Sequence, residues 1–448
     1  MKKIYYIVSL ILLTACQDDE IYNINGEIDD TFFLGEFEWV RAYGGSGEDT
    51  PRAVIHTQDD GYAIFGFSNS TDGDLANKTV AVNDYWLLRL DSEGGVLWSK
   101  TYGGSSDDRG QSIIQTADGG YAITGYAMSD DGDASNNEGF HDNWVLRLDS
   151  KGNILWERSF GFSGHDHSYD IMQTADGGFF FVGFLDITSA RSDGYEEKAT
   201  ASALHGVGEF WGTKIDANGN LQWRRYFGGT NNDRAYSVVP AWDGGYVIAG
   251  ASESADFDIT NARGSYDFWV VKISDQGDMV WEKSYGGSGI DIAYDISLTN
   301  DGAYVVAGHS FSSDNDIASP LGESDIWMIK IDAQGEMLWE KSIGGTASEL
   351  ARSIRAARRG GYIISGNSKS TDGDSSENFG ENDMWVLRTD NAGQVLWQQT
   401  FGGMGLDFAF DAVENPDKSL LLVGETASPD MTGINHKGGT DLVVVKIR

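Results

Sequence analysis

The chain has 448 residues and carries 69 acidic against 32 basic side chains, a formal charge of −37. The acids are spread along the sequence, so the field repels nucleic acid and anionic headgroups and excludes both as partners; divalent cations, basic proteins and neutral glycans remain. A single cysteine excludes an intramolecular disulfide, and 58 glycines with only five prolines suit a chain of strands and tight turns.

The first element is an address. Met1-Lys2-Lys3 is a short basic region, and Ile4 to Leu13 is an apolar run too short to span a bilayer. Leu13-Thr14-Ala15-Cys16 resembles a bacterial lipobox, which implies cleavage after residue 15 and diacylation of Cys16. Gln17-Asp18-Asp19-Glu20 resembles the acidic export signal that Bacteroidota place after a lipidated cysteine. The expectation is therefore a palmitate-bearing lipoprotein of the outer membrane, facing the cell exterior. Residues 16–35 read as an acidic flexible tether whose root-mean-square reach is about 20 Å.

From residue 36 to 448 the chain writes one unit seven times. The tryptophans that close each copy are Trp39, Trp98, Trp156, Trp223, Trp281, Trp339 and Trp397, a period near 58 residues with one insertion in the third unit. Such a period marks a repeat architecture. In the second unit Ser112–Thr116, Tyr121–Tyr126, Asn143–Asp149 and Ile154–Phe160 read as strands separated by turn signals. Four antiparallel strands per unit and no helical period predict an all-β, seven-bladed β-propeller. The ordered part begins with a fourth strand, Phe37–Tyr43, and ends with a third, Val443–Arg448. The N-terminal strand is therefore expected to pair in the last blade and close the ring, removing an exposed edge.

Thirteen of the 14 tryptophans are repeat positions, predicted to pack between blades, and Trp242 alone is left over. Two acidic positions recur in every unit: the ring from Asp49 to Asp407 and the ring from Asp84 to Asp441. Both belong to one face, where the loops joining strands two to three and four to one meet. Residues needed seven times are expected to cap turns through backbone N–H groups. The basic ring Arg89, Arg147, Lys214, Lys272, Lys330, Arg388 and Lys446 reads as structural pairing. The loops joining strands two to three carry Asp72/Asp74, Asp131/Asp133, Asp256/Asp258, Asp314/Asp316 and Asp372/Asp374. Paired carboxylates are the hard-oxygen donors that Ca²⁺ selects, but no copy completes an EF-hand loop. Solvated turns are the first expectation; no cofactor is certain, and calcium is the candidate.

Departures from the repeat point to function. His141, His165, His167 and His205, with Tyr195, Glu196 and Glu197 of the insertion, fall in loops of one face on blades two and three. That set is the expected ligand or partner patch, with transition-metal binding as a second reading. On the opposite face Trp242, Arg355, Arg358 and Arg359 break the turn pattern and read as a second contact patch. No nucleophile elbow, P-loop, dinucleotide fingerprint or His-Glu-x-x-His run occurs.

The pattern GGSxxDxxxSIxxTxDGGYxxxGxTxS…DxWVxKxDxxGxxxW resembles bacterial β-propeller repeats of secreted and surface Bacteroidota proteins, and it covers residues 37–448. Asp149–Trp156 also resembles the tryptophan-docking motif of quinoprotein-type propellers, without their cofactor-binding residues. The resemblance implies the fold; the irregular loops and the lack of a convergent catalytic pair lead to the expectation of a non-enzymatic scaffold that binds a surface protein or glycan, including as a subunit of an outer-membrane complex. A polysaccharide hydrolase or lyase using the channel mouth, and a calcium-stabilised adhesin, are the open alternatives.

Overall fold

The computed structural model describes residues 33–162, 164–185 and 208–448. Its strands form seven four-stranded antiparallel sheets. Six blades take their strands consecutively, and the seventh takes Asp407–Glu414, Leu420–Thr426, Asp441–Ile447 and, as its outer strand, Phe37–Tyr43. Trp39 pairs with Lys446 and Tyr43 with Leu442, so the ring closes as the sequence predicted. The first strand of each blade lies against the first strands of both neighbours, and that of blade seven against that of blade one. These strands surround the central channel.

The two tryptophan sets divide the packing. Trp86, Trp144, Trp211, Trp269, Trp327 and Trp385 are fully buried in third strands. Five of their indole N–H groups reach the neighbouring fourth strand, as in Trp269 to Glu282 Oε2 at 2.9 Å, while that of Trp211 donates to Thr213 Oγ1 on its own strand. Removing one such side chain would cost about 3–5 kcal/mol. The fourth-strand tryptophans cover the next blade instead. Trp98 lies over the turn at Gly152 (φ +74°), where an added Cβ would stand 2.9 Å from the indole. The same contact closes the circle at Gly35, which sits against Trp397, while Phe33 meets Trp397 edge-on at 5.0 Å. Phe33 and Gly35, within the stretch expected to be tether, are thus packed against blade six.

A second repeated device shapes the channel. Every first strand carries a β-bulge at its fourth residue, between Pro51 and Ala53, Ser168 and Asp170, Ala235 and Ser237, and their equivalents. The chain can kink there because a glycine faces it: a Cβ on Gly250 would lie 1.9 Å from the Arg234 carbonyl oxygen. The bulge turns the fourth and fifth residues both toward the axis. The fourth residues are Arg52, Gln111, Tyr169, Tyr236, Tyr294, Arg352 and Phe410.

Candidate functional site

The repeated acids hold the turns of the blades. Asp108 accepts N–H bonds from Gly104, Met128 and Ser129, and Asp233 from Gly229, with Ser254 Oγ at 2.9 Å. The second ring uses one oxygen in this way, Asp142 accepting from Glu138 N, Asp325 from Leu321 N and Asp441 from Lys437 N through Oδ2, while Oδ1 of each is buried without a hydrogen-bond partner. Burial pushes Asp84, Asp142, Asp267 and Asp383 up to about 6. Five of the basic ring pair with the turns between first and second strands, among them Arg147 with Asp118, Lys214 with Asp176 and Lys330 with Asp301, each at 2.6 Å, whereas Arg388 pairs with Glu414 and Lys446 with Glu38.

The Asp-x-Asp loops are also tied down. Asp72 accepts from Ser46 N and Asp74 from Gly44 N; Asp131 and Asp133 accept from Ser105 N and Gly103 N. Asp256 and Asp258 hold Thr230 N and Gly228 N, Asp314 and Asp316 hold Ser288 N and Gly286 N, and Asp372 and Asp374 hold Thr346 N and Gly344 N. Each pair thus fastens its loop to the preceding Gly-Gly turn.

The departures behave differently from one another. Cys16, Tyr195, Glu196, Glu197 and His205 lie outside the described residues. Trp242 stands 60% exposed on a turn of blade four, beside Gly302 of blade five. Arg355, on blade six, does not join it. Its guanidinium turns into the channel and grips Asp411, with Nη2 2.6 Å from Oδ2 and Nε 3.0 Å from Oδ1. The Arg358 N–H donates to Glu414.

His141, His165 and His167 do come together. His141 Nδ1 is 2.9 Å from His165 Nδ1 and 3.1 Å from His167 Nε2. Tyr126 stacks on His167 at 3.9 Å and Phe140 meets His165 at 4.7 Å. Burial first, then the neighbouring rings, pushes His141 down to about 4 and His167 to about 3, so both are neutral at ordinary pH.

His167 leads straight into the channel, which sequence reading missed. Tyr169, Tyr236 and Tyr294 follow one another with ring centroids 5.1 Å apart. Arg352 lies over Tyr294 at 4.7 Å and Arg52 over Phe410 at 4.4 Å. Arg109 and Arg234, second residues of their strands, flank the mouth. Arg52, Arg234 and Arg352 each hold a buried Nε with no hydrogen-bond partner, and among the described residues none makes an ion pair. Burial pulls Arg52 down to about 10, with Glu425 opposing and Arg352 and Arg109 adding repulsion. Glu425, the acid facing them, accepts from Thr50 Oγ1 at 2.6 Å and is itself raised by burial.

Below this layer the fifth residues form a belt that staples blades together. Asp170 joins Ser112 Oγ to Val238 N, Asp295 joins Ser237 Oγ to Ile354 N, and Asp411 joins Ser353 Oγ to Val54 N. The sequence signal for both layers was a small residue followed by two polar or aromatic ones, where period-two alternation demands one.

The chain matches no family model. The regulatory protein FlaEY of Caulobacter vibrioides is 25% identical over 179 residues, 37% of this chain, which spans 19% of that relative's length. The WD40 domain of Neurospora crassa Pan2 is similar with a TM-score of 0.50 at 10% identity, over 92% of this chain and 95% of its own. A member of the DUF4221 family from Bacteroides vulgatus has a TM-score of 0.40 at 9% identity, over 92% and 98%. The Pan2 likeness is one of fold. The chain is a seven-bladed β-propeller, an architecture consistent with a binding scaffold.

Proposed function

We propose that the protein is a non-enzymatic, lipid-anchored scaffold of the outer cell surface that holds the end of an acidic glycan at its channel mouth. The observation that carries this reading is the group of arginines that make no ion pair among the described residues, Arg52, Arg234 and Arg352, in a chain of charge −37. An acidic protein has carboxylates to spare, yet these guanidiniums meet aromatic faces instead. Arginine offers a planar fork for a carboxylate, and tyrosine rings offer a flat surface for a sugar. The outer charge is screened over about 8 Å at physiological salt, so the channel's own groups decide what binds at its mouth. A long polyanion such as nucleic acid would still cross the acidic loops around the rim and be repelled.

The carboxylates of the channel support binding over hydrolysis. Asp170, Asp295 and Asp411 are each held by two or more donors from neighbouring blades, so their oxygens are spent on joining blades and not on a substrate. The test is binding of uronic-acid oligosaccharides against neutral oligosaccharides of equal length. Acidic chains should bind, and Arg52→Ala or Arg352→Ala should weaken them roughly 10- to 100-fold, the worth of one charge-assisted contact. Equal binding of neutral chains, or unchanged affinity in both variants, would overturn the reading. The anchor is tested separately: incorporation of a palmitate probe should vanish in Cys16→Ala.

A further inference from the structure

Six blade seams are marked by a short parallel bridge, and the residues at these bridges can be compared directly. The pairs are Glu48 with Thr440, His141 with His165, Gly208 with Asn232, Tyr266 with Ile290, Ser324 with Ser348, and Asn382 with Leu406. At the remaining seam Asn83 donates to Asp107 at 2.5 Å. The second residue of the adjoining first strand completes each junction: Thr50, Arg109, His167, Arg234, Ile292, Leu350 and Phe408. Only one seam is written in histidine, and it holds three of the chain's seven.

The geometry at that seam points to a bound cation. Two ring nitrogens lie within hydrogen-bond distance of the same atom, His141 Nδ1. That atom has one lone pair or one proton, so it can satisfy only one neighbour as a donor. The His167 Nδ1 faces Tyr169 Oη at 3.4 Å, and donating there leaves the Nε2 lone pair aimed at His141. This is the outer-shell hydrogen bond that metal-ligating imidazoles use to fix their tautomer.

We infer that His141, His165 and His167 bind one divalent transition metal, zinc by preference, through three neutral imidazoles, with an open position facing solvent. One nitrogen from each lies within 4.8 Å of the others, and this is the one group of its kind among the described residues. Zinc–nitrogen bonds of about 2.0–2.1 Å place tetrahedral ligands about 3.3 Å apart. His141 is already near that spacing from both partners; His165, the exposed member, turns to close the rest. Calcium is excluded by donor type, since imidazole suits zinc, copper and nickel. The site pins blade two to blade three and goes beyond the glycan reading, which does not require it.

The test is titration of the full-length, chelator-treated chain in detergent with Zn²⁺. One equivalent should bind, and it should raise the melting temperature. His165→Ala changes an exposed side chain and should fold; it should lose roughly 100-fold or more in affinity. The Co²⁺-loaded wild type should show the visible absorption of a four-coordinate nitrogen site, absent in His165→Ala. His309→Ala, at a histidine outside the trio, should bind as wild type does. No zinc uptake, or undiminished uptake by His165→Ala, overturns the assignment.

Discussion

Replacing Asp295 with asparagine separates two opposed effects that the channel belt combines. Asp295 Oδ1 accepts from Ser237 Oγ at 2.7 Å and Ile296 N at 2.9 Å, while Oδ2 accepts from Ile354 N at 2.8 Å. Asparagine keeps one acceptor, so the Ile354 N–H faces an amide NH₂, a loss of about 1–3 kcal/mol at any pH. The ionised wild type carries a different cost. Burial pushes Asp295 up from 3.8 to about 6, against the pull of Arg355. The folded state therefore holds the proton more tightly, and stability falls as pH rises from about 4 to about 6. That difference is worth about 3 kcal/mol, and asparagine does not incur it. Asp295→Asn should be the less stable protein near pH 4 and match or exceed the wild type near pH 7. For a cooperative body of this size 1 kcal/mol moves the midpoint by roughly 1 °C, so the two melting curves should shift against each other by about 3–4 °C. Parallel curves, or a gap that widens with pH, would refute the reasoning.

Other consequences follow from the same contacts. Glu425→Gln removes the acid facing Arg52 and Arg352 and should strengthen acidic-glycan binding about five- to tenfold, with the gain fading at high salt; direct titration reads it. Gly152→Ala puts a Cβ at φ +74° and 2.9 Å from both Trp98 and Tyr102 Oη, and should lower unfolding free energy by about 2–3 kcal/mol in urea. Asp131→Ala and Asp133→Ala each free a backbone N–H of the Gly-Gly turn and should cost about 1 kcal/mol whether calcium or EGTA is present; a calcium-dependent melt would restore the metal reading of these loops. Trp242→Ala should leave stability within about 0.5 kcal/mol, since the ring is 60% exposed.

The fold was legible because repetition multiplies weak signals. One turn or one Trp is ambiguous, but seven copies of the unit in register fix strand, turn and face together. The same regularity made the acid rings readable as turn caps. What stayed hidden was the channel. Its lining comes from seven different blades, and the bulge breaks the alternation by which strand faces are assigned. Arg52 and Tyr169 consequently read as single polar or aromatic residues in half-buried strands. Arg355 was misplaced for the same reason: it stands next to Arg358 and Arg359 in sequence, yet it belongs to a first strand and faces Asp411. The histidines were found because the loops joining strands two to three and four to one share a face in any propeller, which brings His141 within reach of His165.

A repeat protein has little freedom to vary residues that every blade needs, so specificity must sit where a unit can change without breaking its neighbours. Two kinds of position qualify. Bulged residues stand outside the alternation that fills the blade cores, so Arg52, Tyr169 and Phe410 occupy equivalent places in their strands. Seam residues such as His141 and His165 meet through one backbone bridge, which tolerates Gly-Asn or Ser-Ser elsewhere in the ring. In this chain both kinds converge: His167 belongs to the histidine seam, stacks on Tyr126 and bonds Tyr169 of the channel wall. A cation held at the seam would add its charge next to Arg109 and Arg234, so loading the metal should tighten the grip on an anionic ligand. Glycan affinity measured with and without zinc reads that coupling directly, and it must vanish in His165→Ala while the arginine-dependent part of the affinity remains.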